Sequence, residues 1–328
     1  MDVTSPLPLT VPPREGFRTF LNFPFAGDLD RLRADVAIMG LPYGDPYRAE
    51  EVTNDQTNAP TAVRRASQRL SLGLDHWDFD IGGTLFDGRD VRVVDVGDVP
   101  MSLGDPRGHY RRAELAARKI FSAGTRLISI GGDHGVPIPV FRALETLGPV
   151  TLVHIDAHLD WRDEVNGVRE GYSSTIRRAS EMKHIHRIVQ IGMRGQGSAR
   201  AGELDAARHW GAEIVTAWEL QDRGMAAVLA GIPDGERYYL TIDADGIDPS
   251  VMPAVAAPAP GGVSYRDAIT LIKGLCRKGT LLGMDIVEIT PKADVNEITS
   301  IAAGYFVLNA IGAIARSELT MRTTDRSR

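Results

Sequence analysis

The sequence predicts an α/β domain in which helices cover a parallel sheet on both faces. Predicted strands and helices alternate along most of the chain, which is typical of sheets built from crossover connections. Several strands are continuous apolar runs, and this indicates burial on both faces. The composition shows no break, internal repeat or low-complexity tract, so we predict a single domain over 1–328.

The first half of the chain opens with a proline-rich extension, about 1–30, that we expect to be irregular. A strand at 35–41 leads into a long loop at 42–60 that contains prolines, glycine and asparagines. Loops of this length often serve a function, so it is a candidate wall or lid of a site. The pattern then predicts helices at 61–72, 110–123 and 139–147, and strands at 91–96 and 126–130.

The second half begins with a central strand at 151–155. Further strands are predicted at 187–191, 213–215, 237–242 and 281–289. Helices are predicted at 173–182, 199–210, 217–230, 265–278 and 297–316. A polar tail, about 317–328, follows the last helix.

The composition favours a soluble cytoplasmic protein. Of the 328 residues, 43% are hydrophobic and 24% are charged, and the net charge of −6 gives no reason to expect nucleic acid or an anionic membrane as a partner. The single cysteine, Cys276, allows neither an intrachain disulfide nor a thiolate metal cluster. The first residues lack the features of a signal peptide, and we expect no segment of about 18 apolar residues that could cross a membrane.

The chain is organised around 151–160, where a buried strand runs into Asp156, His158 and Asp160. Because side chains of a strand alternate with a period of two, these three point the same way while the strand persists. Carboxylates and an imidazole that converge in this way are costly to bury without a partner. A bound cation removes that cost.

Two other strands also end in polar residues. One runs into His134 and another into Asp243 and Asp245. Since sites in open parallel sheets form beyond the carboxyl ends of the strands, we expect the three segments to meet. Asp248 is out of phase and precedes a proline, so we expect it to close a turn instead.

The residues that end these three strands include four carboxylates and two imidazoles that are candidate metal ligands. Two divalent ions balance the four negative charges of this set, whereas a single divalent ion leaves two of them unbalanced. Oxygen-rich ligands with imidazole and no thiolate suit Mn²⁺, with Ni²⁺, Co²⁺ or Fe²⁺ as alternatives. Two ions held roughly 3.5–4 Å apart can bridge a water and convert it to hydroxide. We therefore predict two divalent metal ions per chain, on His134, Asp156, His158, Asp160, Asp243 and Asp245.

These motifs resemble the ureohydrolase family, which includes arginase and agmatinase. The resemblance lies in 131–134 (Gly-Gly-Asp-His), 156–160 (Asp-Ala-His-Leu-Asp) and 243–249 (Asp-Ala-Asp-Gly-Ile-Asp-Pro), and also in Arg194 and 285–289. It implies a parallel sheet of about eight strands, two metals that are usually Mn²⁺, and hydrolysis of a guanidinium group to urea and an amine. It also implies homo-oligomers, trimers or hexamers, and leaves a hetero-oligomer open.

The resemblance further implies roles for individual residues. His134, Asp156, Asp160 and Asp243 would hold one metal. Asp156, His158, Asp243 and Asp245 would hold the other. Asp160 would take part in proton transfer to the leaving amine, and Glu288 would pair with the cationic guanidinium.

The sequence departs from the family around the substrate. Agmatinase-like members carry a His-Gly pair after the central motif, whereas this chain has Glu170 and Gly171 followed by Tyr172. Either Tyr172 or Glu170 is a candidate replacement, and Trp161 is a candidate for lining the pocket. The substrate is therefore left open among guanidino acids, agmatine-like compounds, alkylguanidines or biguanides, and free guanidine.

Two other functions stay open. The chain could be a non-catalytic or partner-dependent subunit that keeps the fold, or a relative of the deacetylases of this fold that use a single zinc. The remaining histidines suggest no further site. His154 is expected to be hydrogen-bonded in the core behind the ligands, and His109 is expected at the surface.

Overall fold

The computed structural model describes residues 7–13, 16, 18–48, 55–101 and 105–317. Its strands are β1 (Val36–Leu41), β2 (Val93–Asp98), β3 (Arg126–Gly131), β4 (Val150–Ile155), β5 (Ile185–Met193), β6 (Glu213–Thr216), β7 (Arg237–Asp243) and β8 (Thr280–Val287). They form one sheet in the order β2-β1-β3-β8-β7-β4-β5-β6, and every neighbouring pair is parallel. The predicted fold class is confirmed.

Helices connect these strands within the described part of the chain. They are α1 (Ala59–Ser67), α2 (Pro106–Ser122), α3 (Pro137–Ala143), α4 (Thr175–Ser180), α5 (Ala201–Trp210), α6 (Ala217–Arg223), α7 (Met225–Gly231), α8 (Tyr265–Lys278) and α9 (Ile298–Arg316). Short 3-10 turns extend α1 and α3.

Two hydrophobic cores lie on opposite faces of the sheet. In β1, Val36 and Ile38 belong to one core, and Ala37 and Met39 belong to the other. The first core is closed by α1, α8 and α9, and the second by α2 and α3 among others. Burial on both faces explains why the strands are apolar runs rather than alternating ones.

The strand order brings the polar motifs together. β3, β8, β7 and β4 are consecutive neighbours at the centre of the sheet, although they are far apart in sequence. Since all strands run in the same direction, their carboxyl ends lie along one edge. The segments that follow β3, β4, β7 and β8 therefore meet there.

Some predicted elements differ from the structure. The single helix predicted at 217–230 is broken at Gly224, whose φ of +76° ends α6 and precedes α7. The irregular extension is partly packed, because Phe20 and Leu21 are buried and Val11 and Phe25 bridge to β2. Residues 49–54 of the predicted lid loop and 318–328 of the predicted tail lie outside the described residues.

The last helix corrects the expectation that no segment could cross a membrane. The 22-residue stretch Val295–Arg316 is long and apolar enough by length and composition, but 78% of its most apolar window is buried in the fold. It packs against α1 and α8. A helix that is apolar on all sides is expected in the core of a protein of this size, and α9 has that place.

Candidate metal centre and active site

The six predicted ligands lie together beyond the carboxyl ends of β3, β4 and β7. The ring nitrogen Nδ1 of His134 lies 3.3 Å from Asp156 Oδ2 and 3.1 Å from Asp160 Oδ2. The same nitrogen lies 3.1 Å from Asp243 Oδ2. Three carboxylates from two strands thus face one imidazole nitrogen, and all four side chains are buried.

A second group adjoins the first. His158 Nδ1 lies 3.1 Å from Asp245 Oδ2 and 3.3 Å from Asp156 Oδ1. Asp156 therefore turns one oxygen towards His134 and the other towards His158. The arrangement is that of two ligand groups joined by one carboxylate.

The geometry fits metal ions better than protons. Within the described residues, neither His134 Nδ1 nor Asp160 Oδ2 has a hydrogen-bond partner, although both atoms are buried and lie 3.1 Å apart. A buried polar atom without a partner costs about 1–3 kcal/mol. A divalent cation among these atoms would satisfy both, and oxygen and imidazole donors suit such a cation.

Backbone amides hold the carboxylates in place. His158 N donates to Asp156 Oδ1 at 2.6 Å, and Asp245 N donates to Asp243 Oδ1 at 2.8 Å. Ala157 N donates to Asp245 Oδ1 at 3.2 Å. The remaining oxygens of Asp243 and Asp245 face the histidines, as ligands need to do.

The crowding of charges is visible in the pKa values. Burial, together with the charge of Asp156, raises the pKa of Asp245 to about 6. Burial and the charge of Asp245 raise the pKa of Asp243 well above its usual range. Burial lowers the pKa of His158, but its contacts with Asp156 and Asp245 outweigh this and raise the pKa to about 12. Positive charge is therefore required here, whether protons or metal ions supply it.

A relay that the sequence analysis missed orients His134. Thr241 Oγ1 donates to Asp285 Oδ1 at 2.6 Å, so its lone pairs are left to accept from His134 Nε2 at 3.0 Å. This assigns the proton to Nε2 and leaves Nδ1 free to act as a ligand. The sequence signal was a threonine two residues before Asp243 and an acid inside an apolar strand.

His154 lies behind the ligands, as expected. Gln190 Nε2 donates to His154 Nδ1 at 3.1 Å, so the Nε2 proton is left for Asp156 Oδ2 at 2.8 Å. Gln190 also donates to the carbonyl of Leu159 at 2.9 Å. The role of Gln190 was not predicted, because nothing in its own strand marks it as functional.

A cavity of about 230 Å³ opens onto the cluster. Glu288 lies in its wall, where Oε1 accepts from His134 N at 2.8 Å and Oε2 accepts from Gln56 Nε2 at 2.9 Å. Burial, followed by the charge of Asp133, raises the pKa of Glu288 to about 8. Both Glu288 and Asp160 have left-handed backbones, with φ of +64° and +50°, which is uncommon for such residues and concentrates at functional sites.

Of the three residues predicted to contact the substrate, two line this cavity and one does not. Trp161 and Tyr172 line the cavity, and Tyr172 packs on Tyr47 with ring centroids 4.3 Å apart. Glu170 is not brought to it, because its carboxylate pairs with Arg142 and lines a separate cavity of about 450 Å³. Its carbonyl accepts from Tyr110 at 2.8 Å, so the chain turns between Glu170 and Tyr172.

Asp248 closes a turn, as expected. Its carboxylate accepts from the backbone amides of Ser250, Gly261 and Gly262 at 2.9–3.0 Å. His109 differs from expectation, because it is fully buried and stacks on Tyr43 with centroids 4.8 Å apart. It belongs to the packing beside the site rather than to the surface.

Comparisons with known proteins find a family and several similar chains. The model of the arginase family matches residues 34–312. An agmatinase of Salmonella paratyphi B is 33% identical over 288 residues, which are 85% of this chain and 87% of that protein. The structure of proclavaminate amidino hydrolase from Streptomyces clavuligerus superposes with a TM-score of 0.79 at 28% identity, over 92% of this chain and 98% of that one. A hypothetical agmatinase from Burkholderia thailandensis gives a TM-score of 0.76 at 27% identity, over 98% of each chain.

Proposed function

The chain belongs to the arginase family and is a hydrolase of amidine C–N bonds, and from this premise we propose that it uses two divalent metal ions to cleave a small guanidino compound to urea and an amine. The observation that carries the proposal is the His134 nitrogen, which faces three carboxylate oxygens and is hydrogen-bonded to none of them. The second group on His158 shares Asp156 with the first, which favours two ions over one.

We assign the ligands as the motifs imply. His134, Asp156, Asp160 and Asp243 hold one ion, and Asp156, His158, Asp243 and Asp245 hold the other. Mn²⁺ is the proposed metal, with Ni²⁺ as the alternative. When bound, such a pair of ions supplies activation of water for attack at neutral pH.

The chain's own residues bind the substrate and move the proton. In the proposed reaction, R–NH–C(NH₂)₂⁺ and water give R–NH₃⁺ and urea, so one C–N bond breaks and one C–O bond forms. Glu288 receives the guanidinium, whose charge compensates the buried carboxylate. Asp160, at the cavity wall, carries a proton to the departing nitrogen.

The test is metal content together with urea release. We expect two metal ions per chain and urea from at least one member of a panel of guanidines, after loading with Mn²⁺ or Ni²⁺. One zinc per chain would instead favour the single-zinc deacetylases. Full metal content without urea from any guanidine would contradict the proposal and favour a non-catalytic subunit.

Glu288 allows a sharper test of the site. Glu288→Gln keeps the shape but removes the charge, so we expect kcat/KM to fall about 10- to 100-fold while metal content stays unchanged. Glu145→Gln, on an exposed carboxylate 3.4 Å from Arg118, is the control and should leave both unchanged. Equal activity in the two variants would remove Glu288 from the mechanism.

We also propose that the protein is a cytoplasmic homo-oligomer, either a trimer or a hexamer. An apolar patch supports association, since Trp77 and Phe79 are 63% and 91% exposed. Trp77 and Phe79 line an open cavity of about 780 Å³ together with α9 residues. Exposed apolar patches of this kind are typical of protein interfaces. A monomer in solution would contradict the proposal, and a second polypeptide in the purified complex would show that a partner chain is required.

A further inference from the structure

We propose that the end of the substrate opposite the guanidinium is a carboxylate, so that the enzyme acts on ω-guanidino carboxylic acids in preference to guanidino amines. This inference rests on the function proposed above and names the substrate class of the same site. It is carried by Arg162, which lines the cavity over the ligands and also the cavity outside it.

The inner end of the site is suited to a cation. Glu288 and the carboxylates of Asp160, Asp243 and Asp245 line the inner cavity. A guanidinium group that enters first is therefore placed between Glu288 and the ligand cluster. Whatever is attached to that group has to extend outwards past Tyr172 and Ser173.

The outer end has the opposite charge. An adjoining cavity of about 280 Å³ is lined by Tyr47, Arg48, Arg162, Val165, Tyr172 and Ser173. It shares Arg162, Tyr172 and Ser173 with the inner cavity, so the two are contiguous. Among the lining residues that the structure describes, there are two guanidinium groups and no carboxylate.

Arg162 is only loosely paired within the protein. Its nearest carboxylate in the described residues is Glu203, with Nε 3.9 Å from Oε1. Glu203 is already engaged by Arg200, which donates to it through the backbone at 2.8 Å and through Nη1 at 3.0 Å. For Arg48, the part of the chain that the structure describes places no carboxylate within 4 Å. The positive charge of Arg162 is therefore only partly balanced by Glu203, and a substrate carboxylate would balance the rest. Arginine binds carboxylates with two parallel hydrogen bonds.

The backbone holds Arg162 at this position. Its amide donates to the carbonyl of Ser173 at 3.0 Å, which ties it to the segment that carries Tyr172. Like charges repel, so an ammonium group at the same place would be disfavoured by Arg48 and Arg162. The competing possibility is that Glu203, which also lines the inner cavity, receives an ammonium group.

Two substrates of nearly equal length separate these possibilities. We compare urea release from 4-guanidinobutyrate, which ends in a carboxylate, with release from agmatine, which ends in an ammonium, using the Mn²⁺-loaded full chain. We expect kcat/KM to be at least about tenfold higher for the acid. Butylguanidine, which has no charged tail, measures the contribution of the guanidinium alone.

Variants of Arg162 test whether this residue causes the preference for a substrate that ends in a carboxylate. Arg162→Gln should raise KM for 4-guanidinobutyrate about tenfold or more, with little change for butylguanidine, and Arg162→Lys should recover part of the loss. Glu203→Gln should leave kcat/KM for agmatine unchanged, whereas a fall would show that Glu203 receives the ammonium group. Arg89→Gln, on a partly exposed arginine paired with Asp87, is the matched control.

The outcomes are distinguishable. If agmatine is the better substrate, or if Arg162→Gln leaves the ratio unchanged, this inference is overturned while the proposed hydrolysis stands. If none of the three compounds gives urea, calorimetric titration of the acid into the metal-loaded protein still tests it. Binding that Arg162→Gln weakens supports the carboxylate site, and binding that the variant leaves unchanged overturns it.

Discussion

His134 shows how a single residue at this site depends on groups outside the ligand cluster. Its ring is fixed by Thr241, and Thr241 is fixed in turn by Asp285. All three are fully buried, so water cannot replace a lost partner. The orientation of His134 thus depends on residues of two neighbouring strands, β7 and β8.

We expect Thr241→Val to lower the affinity for Mn²⁺ about tenfold or more, because it removes the acceptor for His134 Nε2 while keeping the volume. Chelator competition measures the affinity directly. Thr241→Ser should restore most of it. Thr270→Val removes an exposed hydroxyl bonded to the carbonyl of Arg266 and serves as control. Unchanged affinity in Thr241→Val would show that the relay has no positioning role.

His109 should make stability depend on pH. Burial lowers its pKa to about 3, so the folded protein keeps this imidazole neutral while the unfolded chain protonates it near pH 6.5. Its contribution is therefore intact above pH 6.5 and is lost as the pH falls from there towards 3. Between pH 7 and 5.5 the loss is about 1 kcal/mol.

Urea unfolding at pH 7 and 5.5 measures this loss. His109→Phe, which keeps an aromatic ring against Tyr43, should make the pH dependence shallower than in the unaltered protein. His209→Phe, at an exposed position of α5, should leave the pH dependence unchanged. The metal centre is common to all three proteins, so its own pH dependence cancels in the comparison. Identical slopes in all three would contradict the prediction.

Among the elements, the turn after β7 is the one most tightly fitted to the ligands. Gly246 lies against the β4 segment, and a β-carbon there would lie 2.5 Å from the backbone nitrogen and Cα of Asp156. Arg194 holds the same turn from the other side, since its guanidinium donates to the carbonyls of Asp245 and Gly246. The turn can therefore move only if Asp156, the carboxylate shared by the two ligand groups, moves with it.

We expect Gly246→Ala to lower metal affinity and kcat together, because the added methyl group has to displace the Asp156 backbone. Gly202→Ala is a matched control in α5, where a β-carbon meets nothing within 4 Å. It should leave activity unchanged and stabilise the helix by up to about 1 kcal/mol. Equal metal affinity in the two variants would show that the contact at Gly246 is relieved elsewhere.

On the scale of the whole molecule, the apolar patch around Trp77 and Phe79 predicts the effect of mutation on assembly. Trp77→Glu combined with Phe79→Glu should reduce the mass measured by light scattering, because buried charge disfavours association. Trp218→Glu, at an exposed tryptophan outside this patch, should leave the mass unchanged. An oligomer that survives the double change would place the interface elsewhere.

The sequence by itself determined the fold class, the strand positions and the six residues that gather at the centre. The first two depend on local pattern, because apolar runs mark strands buried on both faces. The two-residue period of a strand predicted Asp156, His158 and Asp160 on one side. In the structure β4 ends at Ile155 and Asp160 has a left-handed backbone, so the loop after the strand, and not the strand itself, brings these three together. The resemblance to a family supplied Glu288. All of these features can be identified from residues that are close together in the sequence, so no tertiary structure was needed to find them.

Only the tertiary structure decided which residues support and surround the centre. Gln56 reaches Glu288 across 232 positions of sequence, and Arg64 of α1 is buried in ion pairs with Asp95 and Asp98 of β2. Tyr172 lines the cavity while Glu170 does not, because a turn separates them. The contacts of Gln56 and Arg64 depend on which elements lie side by side, and no local pattern specifies the strand order β2-β1-β3-β8-β7-β4-β5-β6. A strand's own residues show that it is buried and not which strand lies beside it.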